Sequence, residues 1–349
     1  MTETARRLLR RPAAASAATI GLARLGEARA ACTRLANERD PDALHDFRVA
    51  VRRLRTVLRA FRRELKTIPK RFERQLRALT RATSGARDAE VQLAWLAQAG
   101  KPARPGAPWL RARLMAQRDA SYRDAREDGV REFAAVEGRL RRRLNGIAVS
   151  PRPGEPFAAA LSRRVLEERS TLEQEATASK SADDPGAVHR ARIAVKRLRY
   201  LLEPLTDSDA SARDLVGRLK RLQDVLGEAH DLYVLVDAFG EAAAEAAAER
   251  VRRQHQRMLK GDGGARRRTG PRPAPAGVLA LAERAAQRLR EVMEHDLAAW
   301  HSGPLPQLLN DVSEWAALLP PLAPAPRKRA VPTTRPTARA AAARHSPRE

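Results

Sequence analysis

Hydrophobic residues recur at intervals of three and four positions over most of the chain, which is the spacing of one face of an α-helix. Runs of β-branched and aromatic residues, which would indicate strands, are few. Alanine, leucine and arginine dominate the composition, and all three favour helix. The pattern therefore predicts an all-α fold with almost no sheet.

Proline, glycine and the apolar spacing divide the chain into predicted helices. Two of these helices start at the similar sequences Asp40-Pro41-Asp42 and Asp183-Asp184-Pro185, and Gly129 predicts a break inside another. The predicted helices cover about 15–36, 42–66, 69–84, 87–98, 109–144, 157–179, 184–203 and 209–226, an alanine-rich segment ending near 260, and about 278–300 and 305–319.

The chain contains an internal repeat. Residues 44–61 return at 188–205 with histidine, basic and apolar positions in register, which predicts two duplicated antiparallel helical bundles. The predicted organisation is a flexible N-terminus (1–14), a first bundle (15–149), a linker (150–156), a second bundle (157–319) that contains a flexible insertion (261–277), and a disordered basic tail rich in proline and alanine (320–349).

The repeated helix separates its cations from its apolar residues. With His45 at zero on a helical wheel, the cationic arc lies at about 280° to 340° and the apolar stripe at about 160° to 240°. The basic arc holds His45, Arg48, Arg52, Arg55 and Arg59, and the apolar stripe holds Val51, Leu54, Leu58, Phe61 and Leu65. In the second copy the corresponding sets are His189, Arg192, Lys196 and Arg199, and Val195, Leu198, Leu202 and Leu205.

A second series of cations follows on the next helix. Lys70, Arg74, Arg77 and Arg81 share one arc in the first copy. The equivalent positions in the second copy are Arg213, Gly217, Lys220 and Asp224, so this series is weaker there. Like charges three or four residues apart repel one another, and an external anion would relieve the repulsion.

The charge of the chain narrows the class of partner. A formal net charge of +25 indicates a polyanion: nucleic acid, an anionic membrane or a chain of phosphates. The basic face from His45 to Arg59 is roughly 21 Å long, which favours a chain-like ligand over one small phosphate. Arginine suits such a ligand because its planar fork keeps its charge and offers several donors.

Other features predict a soluble cytoplasmic protein. The single cysteine, Cys32, can form no intramolecular disulfide and provides no cysteine metal cluster, so we expect neither a metal nor a cofactor. No stretch of about twenty apolar residues is present, which predicts no membrane insertion.

The pattern His45-x-x-Arg48-x-x-x-Arg52-Arg53-x-Arg55, followed by Arg87-Asp88, resembles the conserved-histidine α-helical domain, the CHAD domain. The second copy, His189-x-x-Arg192-x-x-x-Lys196-Arg197-x-Arg199 with His230-Asp231, resembles it equally. The resemblance covers about residues 15–319. It implies two bundles related by pseudo-twofold symmetry around a basic central groove or pore. It also implies binding of inorganic polyphosphate without catalysis and association with polyphosphate granules.

The resemblance carries over a set of ligand-contacting residues. In the first copy they are His45, Arg48, Arg52, Arg53, Arg55, Arg74, Arg77 and Arg87, and in the second copy they are His189, Arg192, Lys196, Arg197, Arg199, Lys220 and His230. The chain also departs from the family pattern: Thr83-Ser84-Gly85 stands where Leu-Gly is usual, and His230 where Asn is frequent.

Two other functions stay open at this point. The pairs His45-Asp46 and His230-Asp231 suggest a metal-dependent phosphohydrolase of the His-Asp type, although adjacent residues on one helix point about 100° apart. The basic faces also fit non-specific nucleic-acid binding. Only Tyr200 stands among their cations as a platform for a base, and aromatic platforms are what single-stranded nucleic acid requires.

Overall fold

The structure, a computed structural model, describes residues 2–35, 37, 40, 42–99, 105–179, 184–260 and 271–319. Within these ranges the chain is helical, and its one β-type pairing is an isolated bridge between Pro12 and Pro156. The all-α prediction is confirmed. In chain order the α-helices are α1 (Glu3–Arg10), α2 (Ala13–Arg34), α3 (Ala43–Ala60), α4 (Lys70–Ala82), α5 (Ser84–Ala99), α6 (Ala107–Val149), α7 (Phe157–Ala178), α8 (Pro185–Leu202), α9 (Ala210–Lys260), α10 (Pro275–Glu291), α11 (Ala298–Ser302) and α12 (Pro304–Ala317). A 3-10 turn (Glu203–Leu205) follows α8, and a π-helical turn (Val292–Leu297) joins α10 to α11.

The helices pack in a similar order in the two parts of the chain. Helix α2 packs against α3 and α6, and α7 packs against α8 and α12. Helix α5 packs against α6, and α9 packs against both α8 and α10. Contacts of α2 with α7 and of α3 with α8 join the two parts, and the rings of Phe61 and Phe157 lie 5.1 Å apart across this junction.

The core is formed by the apolar stripes that the wheels predicted. Val51, Leu54 and Leu58 of α3 are buried, as are Val195, Leu198 and Leu202 of α8. Each such side chain contributes about 1.5 to 3 kcal/mol when it is fully buried. Because these stripes face inward, the cations at other angles on α3 and α8 are free to form a separate surface.

Part of the segment 1–14, for which the sequence predicts flexibility, is helical. Residues Glu3–Arg10 form α1, in which Leu9 is fully buried, and the backbone N–H of Thr2 donates to Ser208 O at 3.0 Å. Leu8 also packs against the core. Helix α1 packs against α7 and α2.

Two predicted helix breaks are absent and one helix is shorter than predicted. Helix α6 continues through Gly129, and α9 continues through Gly227, because a single glycine costs a long, well-packed helix only about 1 kcal/mol. Helix α3 ends at Ala60 rather than near residue 66, and a series of turns leads to Pro69.

Several predictions concern residues outside the described ranges, and one concerns the division into bundles. Residues 261–270 of the predicted insertion and the predicted tail 320–349 lie outside the described residues, and the insertion's last residues begin α10 at Pro275. The division into bundles at 15–149 and 157–319 stays a prediction. Of the helices described, none is long and apolar enough to cross a lipid bilayer.

Candidate functional site

Aspartates hold the starts of the two repeated helices. The side chain of Asp184 accepts a hydrogen bond from the backbone N–H of Ala187 at 2.9 Å, which caps α8. In the first copy Asp40 accepts from the N–H of Ala43 at 3.1 Å and is itself held by Arg34 at 2.7 Å. The Asp-Pro start signals therefore define where each basic face begins.

A cleft of about 420 Å³ lies between α3 and α8. We call it the central cleft. Its basic lining residues are Arg52, Arg55, Arg59 and Arg77 from the first copy and His189, Arg192, Lys196 and Arg197 from the second. Its other lining residues include Thr56, Glu73, Glu168 and Tyr200. Basic residues of α3 and α4 thus share one space with those of α8, which lies more than a hundred residues further along the sequence.

Carboxylates neutralise only part of this charge. Arg192 lies 3.6 Å from Asp231, and Arg197 lies 3.9 Å from Glu168. Glu73 pairs with Arg62. Within the described part of the chain, the cleft cations without a carboxylate at ion-pair distance are Arg52, Arg55, Arg59, Arg77 and Lys196. The cleft consequently carries an excess of positive charge.

Burial and repulsion between neighbouring positive charges lower the pKa of Lys196 and of Arg55 in the cleft. Burial lowers the pKa of Lys196 to about 6, with Arg192 and Arg52 adding to the effect. Burial likewise lowers the pKa of Arg55 to about 10, and Arg77 and Arg52 lower it further. Desolvation raises the pKa of Glu168 despite Arg197. In the free protein the charged forms of these basic groups are disfavoured. A bound anion would favour them.

Two of the predicted histidines lie together. The rings of His189 and His230 are 4.7 Å apart, and His189 lines the cleft. Burial lowers the pKa of His230 to about 4, with Arg192 and His189 acting in the same direction. His45 is not among the residues lining the cleft, and desolvation together with the charge of Arg87 lowers its pKa.

Arg48 does not line the central cleft. Its side chain is buried, and Nη1 donates to Thr80 O at 2.8 Å and to Thr83 Oγ1 at 2.6 Å. Burial lowers its pKa to about 10, and the charge of Arg52 lowers it further. This arginine joins α3 to the junction between α4 and α5, and its Nη1 is engaged there.

Arg53 and Arg199 do not line the cleft and form a second group. Arg53 Nε lies 2.8 Å from Glu203 Oε2, and Arg199 Nη1 lies 3.3 Å from Glu203 Oε1. Both guanidinium groups also approach the ring of Tyr200, at 5.7 and 5.0 Å from its centroid. Both are thus paired with one partly buried carboxylate.

The other predicted residues lie outside the cleft lining. Arg87 pairs with Glu90 at 3.1 Å, Lys220 pairs with Asp224 at 2.8 Å, and Arg74 is exposed on α4. The predicted site set omitted the polar lining residues Thr56, Arg59, Glu73, Glu168 and Tyr200. Glu168 belongs to α7, which carries no recognisable part of the repeat, so no signal in the sequence pointed to it.

The chain belongs to the CHAD domain family, since the family model matches residues 19–240. Among solved structures the chain is similar to one described as the crystal structure of the CHAD domain from the plant Ricinus communis. The TM-score is 0.60 at 21% sequence identity, over 87% of this chain and 92% of that one. This likeness concerns the fold. No curated protein sequence matches the chain.

The described residues include no group of three histidine, cysteine or acidic side chains placed to hold one metal ion. The prediction that the chain is not an enzyme stays a prediction.

Proposed function

We propose that this protein binds inorganic polyphosphate in the central cleft, without catalysing a reaction on it. The observation that carries the proposal is the convergence of Arg52, Arg55 and Arg59 from one copy with Lys196 and Arg197 from the other in a single cleft. Arg52, Arg55, Arg59 and Arg77 share the cleft without a described carboxylate at ion-pair distance, so a linear polyanion would relieve their repulsion. It would also favour the charged form of Lys196, whose pKa is lowered to about 6 in the free protein.

The proposal includes the symmetry that the repeat implies. Helices α3 and α8 would be related by a pseudo-twofold axis, with the central cleft between them as the basic groove. The order of helix packing supports this arrangement, because α2 accompanies α3 as α7 accompanies α8. Association with polyphosphate granules would follow from the affinity of the groove for long phosphate chains.

Polyphosphate fits the cleft better than nucleic acid does. Tyr200 is the aromatic residue in the lining, and it is buried with its ring covered by Arg53 and Arg199, so it offers no free face to a base. Closely spaced guanidinium groups without base-stacking platforms suit a polymer whose repeating unit is the phosphate itself.

A binding titration tests the proposal. The double variant Arg52→Ala with Lys196→Ala removes one cation from each copy, and its affinity for long-chain polyphosphate should fall about 100-fold, since each charge-assisted hydrogen bond contributes about 1.5 to 3 kcal/mol. The matched control is Arg213→Ala with Arg221→Ala, two exposed cations on α9. Duplex DNA at the same salt concentration should compete poorly.

Equal losses in the cleft variant and in the control would contradict the proposal, because binding would then depend on overall charge. Removal of residues 320–349 should weaken binding less than the cleft variant does. A larger effect of that truncation would move the binding site away from the cleft.

A further inference from the structure

Helix α4 carries a series of cations that the central cleft uses only in part. We call Lys70, Arg74, Arg77 and Arg81 the α4 ladder. All four side chains are exposed, and they fall within about 60° of one another on the helix over roughly 16 Å. The acid of this helix, Glu73, is occupied by Arg62, and no described carboxylate lies at ion-pair distance from the ladder.

The α4 ladder is continuous with the cleft. Glu73 and Arg77 of α4 both line the cleft, so this helix forms part of its wall. The charge of Arg77 also reaches Arg55, whose pKa it lowers. A chain that leaves the cleft beside Arg77 therefore meets Arg74 and Lys70 in one direction along α4 and Arg81 in the other.

The second copy offers no equivalent path. At the corresponding positions on α9, Gly217 has no side chain, and Lys220 is paired with Asp224 at 2.8 Å. Only Arg213 remains as an exposed cation without a described carboxylate partner. The α4 ladder presents four positive charges, whereas its counterpart presents a net charge of one.

We propose that the α4 ladder is an exit track on which the part of a long phosphate chain that extends beyond the cleft is bound, so that long polyphosphate passes asymmetrically over the first copy. This inference rests on the proposed function. A short chain would be held by the cleft alone, whereas a long one would contact the cleft and the ladder together. The ladder therefore gives the protein a preference for chain length.

The test compares two ligands, tripolyphosphate and long-chain polyphosphate, by titration at fixed salt. The ladder variant is Lys70→Ala, Arg74→Ala and Arg81→Ala, which leaves the cleft residue Arg77 in place. Its affinity for the long chain should fall about tenfold or more, and its affinity for tripolyphosphate should stay within about twofold. The salt dependence of long-chain binding should also decrease, by about two in slope.

The matched control removes three exposed cations of α9, with Arg213→Ala, Lys220→Ala and Arg221→Ala. It should change the affinity for the long chain much less than the ladder variant does. Circular dichroism would verify that both variants are folded, and both sets of residues are exposed, so we expect unchanged melting temperatures.

The outcomes separate this inference from the proposed function. Equal weakening for both chain lengths, or no greater weakening than in the control, would overturn the exit track. If the ladder variant behaves as expected but Arg52→Ala with Lys196→Ala leaves tripolyphosphate binding unchanged, the cleft is not the site and the proposed function fails.

Discussion

Arg48 and Arg192 occupy the same position of the repeat, three residues after the histidine, and the two copies use them differently. Arg48 is 5% exposed and donates to Thr80 O and Thr83 Oγ1. Arg192 lines the central cleft 3.6 Å from Asp231, and its Nε has no hydrogen-bond partner among the described residues. One arginine stabilises the fold, and the other is available to a ligand.

The difference originates in the neighbouring helices. In the first copy α4 ends at Ala82 and α5 begins at Ser84, so the last turn of α4 exposes carbonyl groups that need other donors. In the second copy α9 runs without a break through Gln223 and Leu226, the residues equivalent to Thr80 and Thr83. Its carbonyl groups are used within the helix, and leucine has no hydroxyl. The break between α4 and α5 thus provides hydrogen-bond acceptors for Arg48, and the continuous helix α9 provides no such acceptors for Arg192.

The largest effect that distinguishes the two arginines should be on stability. Arg48→Ala removes the donor of two buried hydrogen bonds and leaves a void, so the free energy of unfolding should fall by about 3 kcal/mol. Arg192→Ala removes a side chain with one weak ion pair and should cost less than about 1 kcal/mol. Urea denaturation followed by circular dichroism measures both.

Arg48→Lys serves as the control for charge, since lysine keeps the positive charge but lacks the guanidinium geometry that reaches both acceptors. We expect an intermediate loss of stability. Similar losses for Arg48→Ala and Arg192→Ala would mean that the junction between α4 and α5 does not make the difference.

Arg48 and Arg192 also show which features of the structure can be predicted from the sequence and which cannot. The spacing of apolar residues predicted the helices, the buried stripes and the basic arc, because all of these depend on the geometry of a single helix. It also placed Arg48 on the same arc as Arg52, Arg55 and Arg59. Which part of that arc is covered by α4 and its junction with α5 depends on contacts between helices. The wheel of one helix holds no information about such contacts.

Arg53 and Arg197 give the same lesson from equivalent positions. Both lie near 80° on their wheels, away from the main arc. Arg197 lines the cleft beside Glu168, whereas Arg53 is held by Glu203 on another side. In the sequence Arg53 and Arg197 occupy equivalent positions. Their surroundings differ because Arg197 meets Glu168 of α7 and Arg53 meets Glu203 of the turn after α8.

Lys196 gives a second way to distinguish residues that stabilise the fold from residues that serve a ligand, because its charge is disfavoured in the folded protein. The pKa of Lys196 falls from its ordinary value of 10.5 to about 6 in the folded protein, so at neutral pH the unfolded chain binds a proton that the folded chain releases. This linkage lowers stability as the pH falls from about 10 towards 6. Lys196→Met should therefore raise the free energy of unfolding at pH 7 by about 2 kcal/mol while weakening polyphosphate binding.

Lys220→Met is the matched control, since Lys220 is exposed and paired with Asp224. It should give no gain in stability. Thermal denaturation of the free protein at pH 7 measures the stability of both variants. If the Lys196→Met protein is less stable than the parent, Lys196 does not destabilise the folded protein.

The smallest of the expected effects is a pH dependence of binding that arises in the second copy. Lys196 is surrounded by Arg192 and Arg199 on its own helix, Arg52 on α3 and Asp231 on α9. A bound polyanion favours its charged form, so binding takes up a proton at pH values above about 6. The affinity for long-chain polyphosphate should rise up to about tenfold as the pH falls from about 8 to about 6, and then level off.

Lys196→Arg separates Lys196 from the other titrating groups, because arginine keeps its charge throughout this range. The variant should bind with an affinity that changes less than about twofold between pH 8 and pH 6, and at pH 8 it should bind more tightly than the parent. His189 also has a lowered pKa and borders the cleft, so His189→Gln is the second arm of the experiment. If His189→Gln abolishes the pH dependence and Lys196→Arg retains it, the proton is taken up at the histidine, and the lysine is not the group that couples binding to pH.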